Sequence, residues 1–230
     1  MATSSEIAVL CSQAPVILPS VLQCDYSNLE REIHRFEEAG VKGFHLDVMD
    51  GNFVPNLSFG FPVIEAFRRV TELPLDVHLM ISNPEKYVSR YVDAGADIVT
   101  VHAEVLEDTR PLLDEIRNLG ALAGLAINPP TPVETIASAF NSCDLILTMS
   151  VMPGFGGQVF DDLALEKLRW LRGEAPDAVI LEVDGGVNEQ TIADCVEAGA
   201  SALVVGSAIT GQADYTPCLA QLNTLARRGL

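Results

Sequence analysis

His45 and Asp47 stand two residues apart in an apolar run, FHLDVM, at residues 44–49. If that run is a strand, the spacing turns both side chains to one side. Burying an imidazole beside a carboxylate is costly unless something meets them. A second run, LDVHLM, carries His78, and a later one, VILEVD, ends in Asp184. Two imidazoles and two carboxylates converging at one point form a donor set for a divalent metal. The competing reading makes each of them a hydrogen-bonded core residue. The clustering favours the metal: three of the four histidines, His45, His78 and His102, lie near the ends of apolar runs, and only His34 falls in a helical pattern. Asp50 opens the segment after the first run, where a cap or turn role is expected.

Glycines follow the later runs: PGFGGQ at 153–158, DGG at 184–186 and the pair Gly206-Ser207. Glycine lets backbone N–H groups approach a ligand closely and takes positive φ at little cost. Backbone donors can hold a phosphate without any lysine. That suits a chain whose formal charge is −18. The same charge argues against nucleic acid and anionic membranes as partners, since both repel a net anion.

A frame is needed to bring these residues together. Candidate strands are residues 16–20, 43–47, 75–80, 98–102, 123–128, 145–150, 179–184 and 202–206. Their continuous apolar character suits parallel strands covered on both faces. Between them lie helix signals, with capping boxes expected at Ser27-Asn28-Leu29-Glu30 and at Thr131-Pro132-Val133-Glu134, and further starts at Asn83-Pro84 and Asn188. A weak repeat recurs at helix-to-strand joints: EAGVKGFHLD, DAGADIVTVH and EAGASALVVG. Eight strands alternating with helices predict a single-domain (β/α)8 TIM barrel over residues 15–230, with a doubly wound open sheet as runner-up. In a barrel, chemistry sits at the C-terminal strand ends, and phosphate at the loops after the seventh and eighth strands.

Composition sets the remaining bounds. An apolar fraction of 48% with 20% charged residues fits a globular chain with a full core. No apolar run approaches the roughly 20 residues that span a bilayer. The first segment, MATSSEIAVLCSQA, lacks a basic n-region and any arginine, so residues 1–14 read as a flexible extension and the protein as cytoplasmic. Five cysteines without a C-x-x-C pair read as reduced, mostly structural thiols. The expected assembly is a homo-oligomer.

The segments LPSVLQCDYSNL, HLDVMDGNFVPNLSFG, LDVHLMISNPEKYV, AGADIVTVHAE, GLAINPPTPVE, MSVMPGFGGQVF, EVDGGVN and GSAIT carry a resemblance over residues 15–212. The chain resembles the ribulose-phosphate 3-epimerases of the pentose phosphate and Calvin pathways. The resemblance implies a TIM barrel with one divalent metal ion, zinc, iron, manganese or cobalt. It implies that His45, Asp47, His78 and Asp184 are ligands and that Asp47 and Asp184 are the paired acid/base. For the sugar phosphate it implies contacts from Ser20, His78, Met49, Met80 and Met149. For the phosphate it implies the loops of Gly154, Phe155, Gly156, Gly157, Gly185, Gly186, Gly206 and Ser207. The sequence departs from the family's commoner residues at Gln23-Cys24, Asn52, Phe61 and Met152.

The implied reaction interconverts ribulose 5-phosphate and xylulose 5-phosphate by proton transfer at C3 through a cis-enediolate. Two acid/bases flank the planar carbon, and the metal steadies the oxyanion. His102 reads equally as a hydrogen-bond partner behind the ligands and as a structural residue. Two alternatives stay open: an epimerase of allulose 6-phosphate, and a sugar-phosphate binding protein without catalysis. The orotidine monophosphate decarboxylase barrels use Asp-x-Lys-x-x-Asp, whereas Asp47-Val48-Met49-Asp50 has no lysine.

Overall fold

The structure is a computed structural model that describes residues 15–230. The extension expected over residues 1–14 lies outside the described residues. Eight parallel strands form one sheet: β1 (Val16–Pro19), β2 (Phe44–Met49), β3 (Leu75–Met80), β4 (Ile98–His102), β5 (Leu122–Ile127), β6 (Leu145–Met149), β7 (Ile180–Asp184) and β8 (Ala202–Val205). Their order is β1-β8-β7-β6-β5-β4-β3-β2. A parallel bridge between Ser20 and His45, with Val21 N donating to His45 O at 3.2 Å, brings the two ends of this order together. The open-sheet alternative is thereby set aside.

The bridge also shows the stagger that a barrel requires. Ser20 lies just beyond the end of β1, yet it faces His45, the second residue of β2. Residues early in β2 therefore stand level with the end of β1, and His45 reaches the mouth although it is not at its strand's end.

Each strand splits its side chains between two cores. On β2, Phe44, Leu46 and Val48 pack outward against helices, with Phe36, Ile64 and Phe67 among their neighbours in that cluster. Val16, Leu18, Ile98, Leu145, Leu147, Ile180 and Ala202 fill the inside of the barrel. Phe44 meets Phe36 edge-on at 5.8 Å and Phe67 at 5.5 Å, and truncating such a buried ring to alanine costs about 3–5 kcal/mol.

The outer layer comprises α1 (Leu29–Glu38), α2 (Phe61–Val70), α3 (Val88–Asp93), α4 (Arg110–Asn118), α5 (Leu163–Glu174), α6 (Ile192–Glu197), α7 (Ser207–Thr210) and α8 (Tyr215–Ala226). The connection after β5 is a 3-10 helix, Val133–Ser142, and neither expected capping box forms. Thr131 turns its hydroxyl to Glu104 instead of to the helix. Asp25 takes the Ser27 amide and hydroxyl, so a 3-10 turn, Tyr26–Asn28, precedes α1. In both places a nearby carboxylate outcompetes the local cap. Asn188 does cap its turn, accepting from Gln190 N at 2.8 Å.

Candidate active site

Three strands bring His45, Asp47, His78 and Asp184 to one place, since β2 supplies the first two, β3 the third and β7 the last. Asp47 and His78 are partners in the β2–β3 register, which sets them side by side. One donor atom from each of the four lies within 4.8 Å of every other. His45 Nε2 is 3.4 Å from Asp47 Oδ1 and 3.4 Å from His78 Nδ1, while His78 Nδ1 is 3.5 Å from Asp47 Oδ1. These separations are too long for good hydrogen bonds. They match the edge of a tetrahedron around an ion with bonds of about 2.1 Å, which is about 3.4 Å. The donor set therefore fits a divalent metal on both chemistry and spacing.

The groups behind these donors orient them. His45 Nδ1 contacts Asp76 Oδ2 at 2.5 Å, and Glu182 Oε1 lies 3.9 Å from the same nitrogen. His78 Nε2 contacts His102 Nε2 at 2.8 Å, and His102 Nδ1 contacts Glu104 Oε2 at 3.1 Å. Ser20 donates to Asp47 Oδ2 at 2.6 Å. Sequence reading missed Asp76, Glu182 and Glu104. The period of two that links His45 to Asp47 also links Asp76 to His78 and Glu182 to Asp184, so the signal was present in LDVHLM and VILEVD.

The two carboxylates on the donor cluster titrate in opposite directions. Burial opposes the ionised form of Asp47, but the charge of the facing His45, with His78 beside it, outweighs burial and holds the carboxyl far below its usual range. Burial and the negative charge of Asp47 push Asp184 up to about 7. One is thus a standing anion while the other exchanges a proton near neutrality, a division typical of paired acid/base groups. Burial keeps His78 below its ordinary value and therefore neutral. Against burial, Asp76 and Asp47 raise His45.

Above the cluster opens a cavity of about 360 Å³. Its wall holds Ser20, Asp47 and Asp184, the methionines Met49, Met80 and Met149, and the loop residues Gly154, Phe155, Gly156, Gly157, Gly185, Gly186, Gly206 and Ser207. His45 and His78 are fully buried behind that wall. Gly185 and Gly186 have φ of +110° and +62°, and a Cβ on Gly186 would meet Phe160 N at 2.6 Å. Glycine is required there. Of the departures noted above, Gln23 lines the cavity, whereas Met152 and Phe61 do not. Phe61 begins α2, 4.4 Å from the Tyr91 ring and under the Arg90 guanidinium. Asp50 serves as a turn residue, accepting from Asn52 N and Phe53 N at 2.8 and 2.9 Å.

A parallel barrel with chelating side chains and a glycine-lined cavity at one mouth defines an α/β-barrel enzyme with a cluster suited to a metal ion. Residues 16–210 match the ribulose-phosphate 3 epimerase family, and the chain belongs to it. It is similar to the ribulose-phosphate 3-epimerase of Bacillus subtilis, with 43% identity over 90% of this chain and 97% of that one. The chloroplastic ribulose-5-phosphate-3-epimerase of Arabidopsis thaliana is 44% identical over 89% of this chain and 74% of its own length. Among solved structures, an orotidine 5'-phosphate decarboxylase from Pyrococcus horikoshii aligns with TM-score 0.70 at 14% identity, covering 92% of this chain and 99% of that one. At that identity the likeness is one of fold alone.

Proposed function

We propose that this chain interconverts D-ribulose 5-phosphate and D-xylulose 5-phosphate by moving a proton at C3, with residues 15–230 acting as one catalytic domain. The observation that carries the reading is the pair Asp47 and Asp184, on β2 and β7, sharing one cavity with their proton affinities driven apart. One carboxylate removes the C3 proton, leaving a cis-enediolate, and the other returns a proton to the opposite face. The roles exchange with the direction of reaction.

His45, Asp47, His78 and Asp184 would hold one divalent ion (zinc, iron, manganese or cobalt), which when bound stabilises negative charge on the substrate oxygens as a Lewis acid. Ser20 fixes Asp47 through its hydroxyl and reaches the cavity, where it can contact the sugar. Met49, Met80 and Met149 give the planar intermediate a polarisable wall without competing donors. The loops at 154–157, 185–186 and 206–207 receive the phosphate through backbone N–H groups.

The partner in this reading is a small sugar phosphate rather than a nucleic acid or a membrane. No helix among the described residues is long and apolar enough to cross a membrane. A cytoplasmic location and a homo-oligomeric assembly complete the reading. Free thiols at Cys24, Cys143, Cys195 and Cys218 support the first, and light scattering of the purified protein tests the second.

The deciding experiment is a coupled assay on ribulose 5-phosphate and on allulose 6-phosphate, with deuterium incorporation followed at C3. Turnover of the pentulose with label at C3 is expected. Preference for the hexulose would reassign the substrate. Binding without exchange or inversion of either sugar would leave only a sugar-phosphate binding protein.

A further inference from the structure

We infer that Glu104 is a positioning residue: acting through His102, it sets which ring nitrogen of His78 carries the proton, so that His78 Nδ1 meets the donor cluster as a bare lone pair. The inference rests on the metal reading above and extends it to a residue that lines no part of the cavity.

Glu104 Oε1 accepts from Asn128 N at 2.7 Å and from the Thr131 hydroxyl, as an ionised carboxylate does. Its Oε2, 3.1 Å from His102 Nδ1, must therefore receive a proton from that nitrogen. A neutral His102 with its proton on Nδ1 can only accept at Nε2. The 2.8 Å contact between the two Nε2 atoms then requires His78 to donate from Nε2. A neutral His78 is left with its lone pair on Nδ1, the atom 3.4 Å from His45 Nε2 and 3.5 Å from Asp47 Oδ1. Both rings are fully buried, where a second proton would be a costly charge, and the 2.8 Å between the two Nε2 atoms holds one proton only.

Without an acceptor-only group at position 104, the chain of protons can run backwards. His102 would donate from Nε2, and His78 would aim an N–H into the cluster. Glu104 is itself held in place, because Lys167 Nζ on α5 donates at 2.7 Å to each of the carbonyls of Asn128, Pro129 and Thr131. That anchors the strand end whose Asn128 N–H grips the carboxylate. Partners at this remove from a ligand typically affect metal affinity by about 10–100-fold.

The test uses the metal-stripped full chain with 15N-labelled histidine at pH 7, read by two-bond 1H–15N correlation, together with zinc affinity from competition against a chelator. In the wild type, His102 should be protonated on Nδ1 and His78 on Nε2. Glu104→Gln, whose amide both donates and accepts, should give mixed tautomers at both rings and bind zinc about 10–100-fold more weakly. A wild-type His78 protonated on Nδ1 overturns the inference. So does a folded Glu104→Gln protein with wild-type tautomers, or with zinc affinity within about twofold of wild type. If that variant does not fold, the wild-type assignment still decides. If the wild type binds no zinc, the metal reading fails, whereas the tautomer order is judged on the spectra alone.

Discussion

On the β2–β4 side of the barrel mouth, the cluster is made of side chains rooted inside strands, with His45, His78 and His102 fully buried and Asp47 at 4% exposure, and Asp184 at the end of β7 completes it from across the mouth. On the β6–β8 side, the cavity wall is mostly the backbone of loops, around Gly154–Gly157, Gly185–Gly186 and Gly206–Ser207. Metal binding and proton transfer need a few atoms held to within about half an ångström, which buried, hydrogen-bonded rotamers provide. A phosphate needs several weak donors arranged around it, and N–H groups supply these without adding a cation to an acidic chain. The two sides should therefore fail differently. Isosteric changes on the first leave the shape and remove the chemistry, while added bulk on the second removes the shape.

The largest effect should come from Asp47→Asn and Asp184→Asn. Each should fold normally and lose about 10²–10⁴-fold or more in turnover in both directions, because an acid/base and a ligand are lost together. Rates alone mix those losses, so C3 deuterium exchange is the better readout. A variant that keeps its metal but lacks one flank should exchange from one epimer without inverting it. Near-normal inversion by either variant with metal bound would end the two-carboxylate reading. Exhaustive chelation comes next, and several kcal/mol of lost oxyanion stabilisation corresponds to roughly 10²–10³-fold in rate, restored by added divalent ion. Full activity in the chelated protein would leave the cluster structural.

The glycine side can be probed at two positions that differ in space. A Cβ at Gly206 would sit 3.6 Å from Ser20 Cβ, in ordinary contact, whereas one at Gly186 would strike Phe160 N at 2.6 Å. Gly206→Val should thus stay folded and weaken sugar-phosphate binding by about 10–100-fold if one or more backbone bonds to a charged group are lost. Its kcat should barely move. Gly186→Val should additionally destabilise the fold, by about 1–3 kcal/mol. Unchanged binding in a folded Gly206→Val protein would show that these loops are not the phosphate site.

The same contrast decides what the sequence revealed. All eight strands are legible, because parallel strands buried on both faces read as apolar runs; 75–80 and 98–102 match at both ends and the others differ by at most two residues. Polar residues inside those runs marked the cluster, since each violates an otherwise apolar pattern. Asp76 and Glu182 violate it equally, but they lie deeper in their strands than the ends where chemistry was sought. The stagger across the Ser20–His45 bridge, which levels mid-strand residues with strand ends, has no local signature. Nor do the lost capping boxes: Glu104 takes Thr131 from a distance of 27 residues, and propensity says nothing of that. Lys167, buried against three carbonyls, looked like any helical surface lysine.

The smallest expected effect lies at Asp50, a carboxylate on the side-chain half that should serve only position. Its Oδ1 accepts from Asn52 N at 2.8 Å and Phe53 N at 2.9 Å, and its Oδ2 accepts from Ser82 N at 2.8 Å and Ser82 Oγ at 2.7 Å. The loop it shapes carries Asn56, whose Nδ2 donates to Gly154 O at 2.7 Å and so ties the two halves together. Partial burial works against ionisation, but the Ser82 donors and the two amides outweigh it and hold the carboxyl at about 2. A folded value below the unfolded one, about 3.9, stabilises the protein above that pH. The contribution is lost as pH falls from about 4 to about 2. Asp50→Asn turns an amide toward the Ser82 donors and should cost about 1–2 kcal/mol at pH 7, after allowance for solvent screening. Urea melts at pH 7, 5 and 3 should show the gap to wild type narrowing at the acid end, and a gap constant with pH would mean that the charge is irrelevant. Turnover at pH 7 should stay within about threefold of wild type, below the 10²-fold floor of a lost acid/base. A fall as deep as that of Asp47→Asn would instead put Asp50 in the chemistry, and the boundary drawn between its turn and the cluster would be wrong.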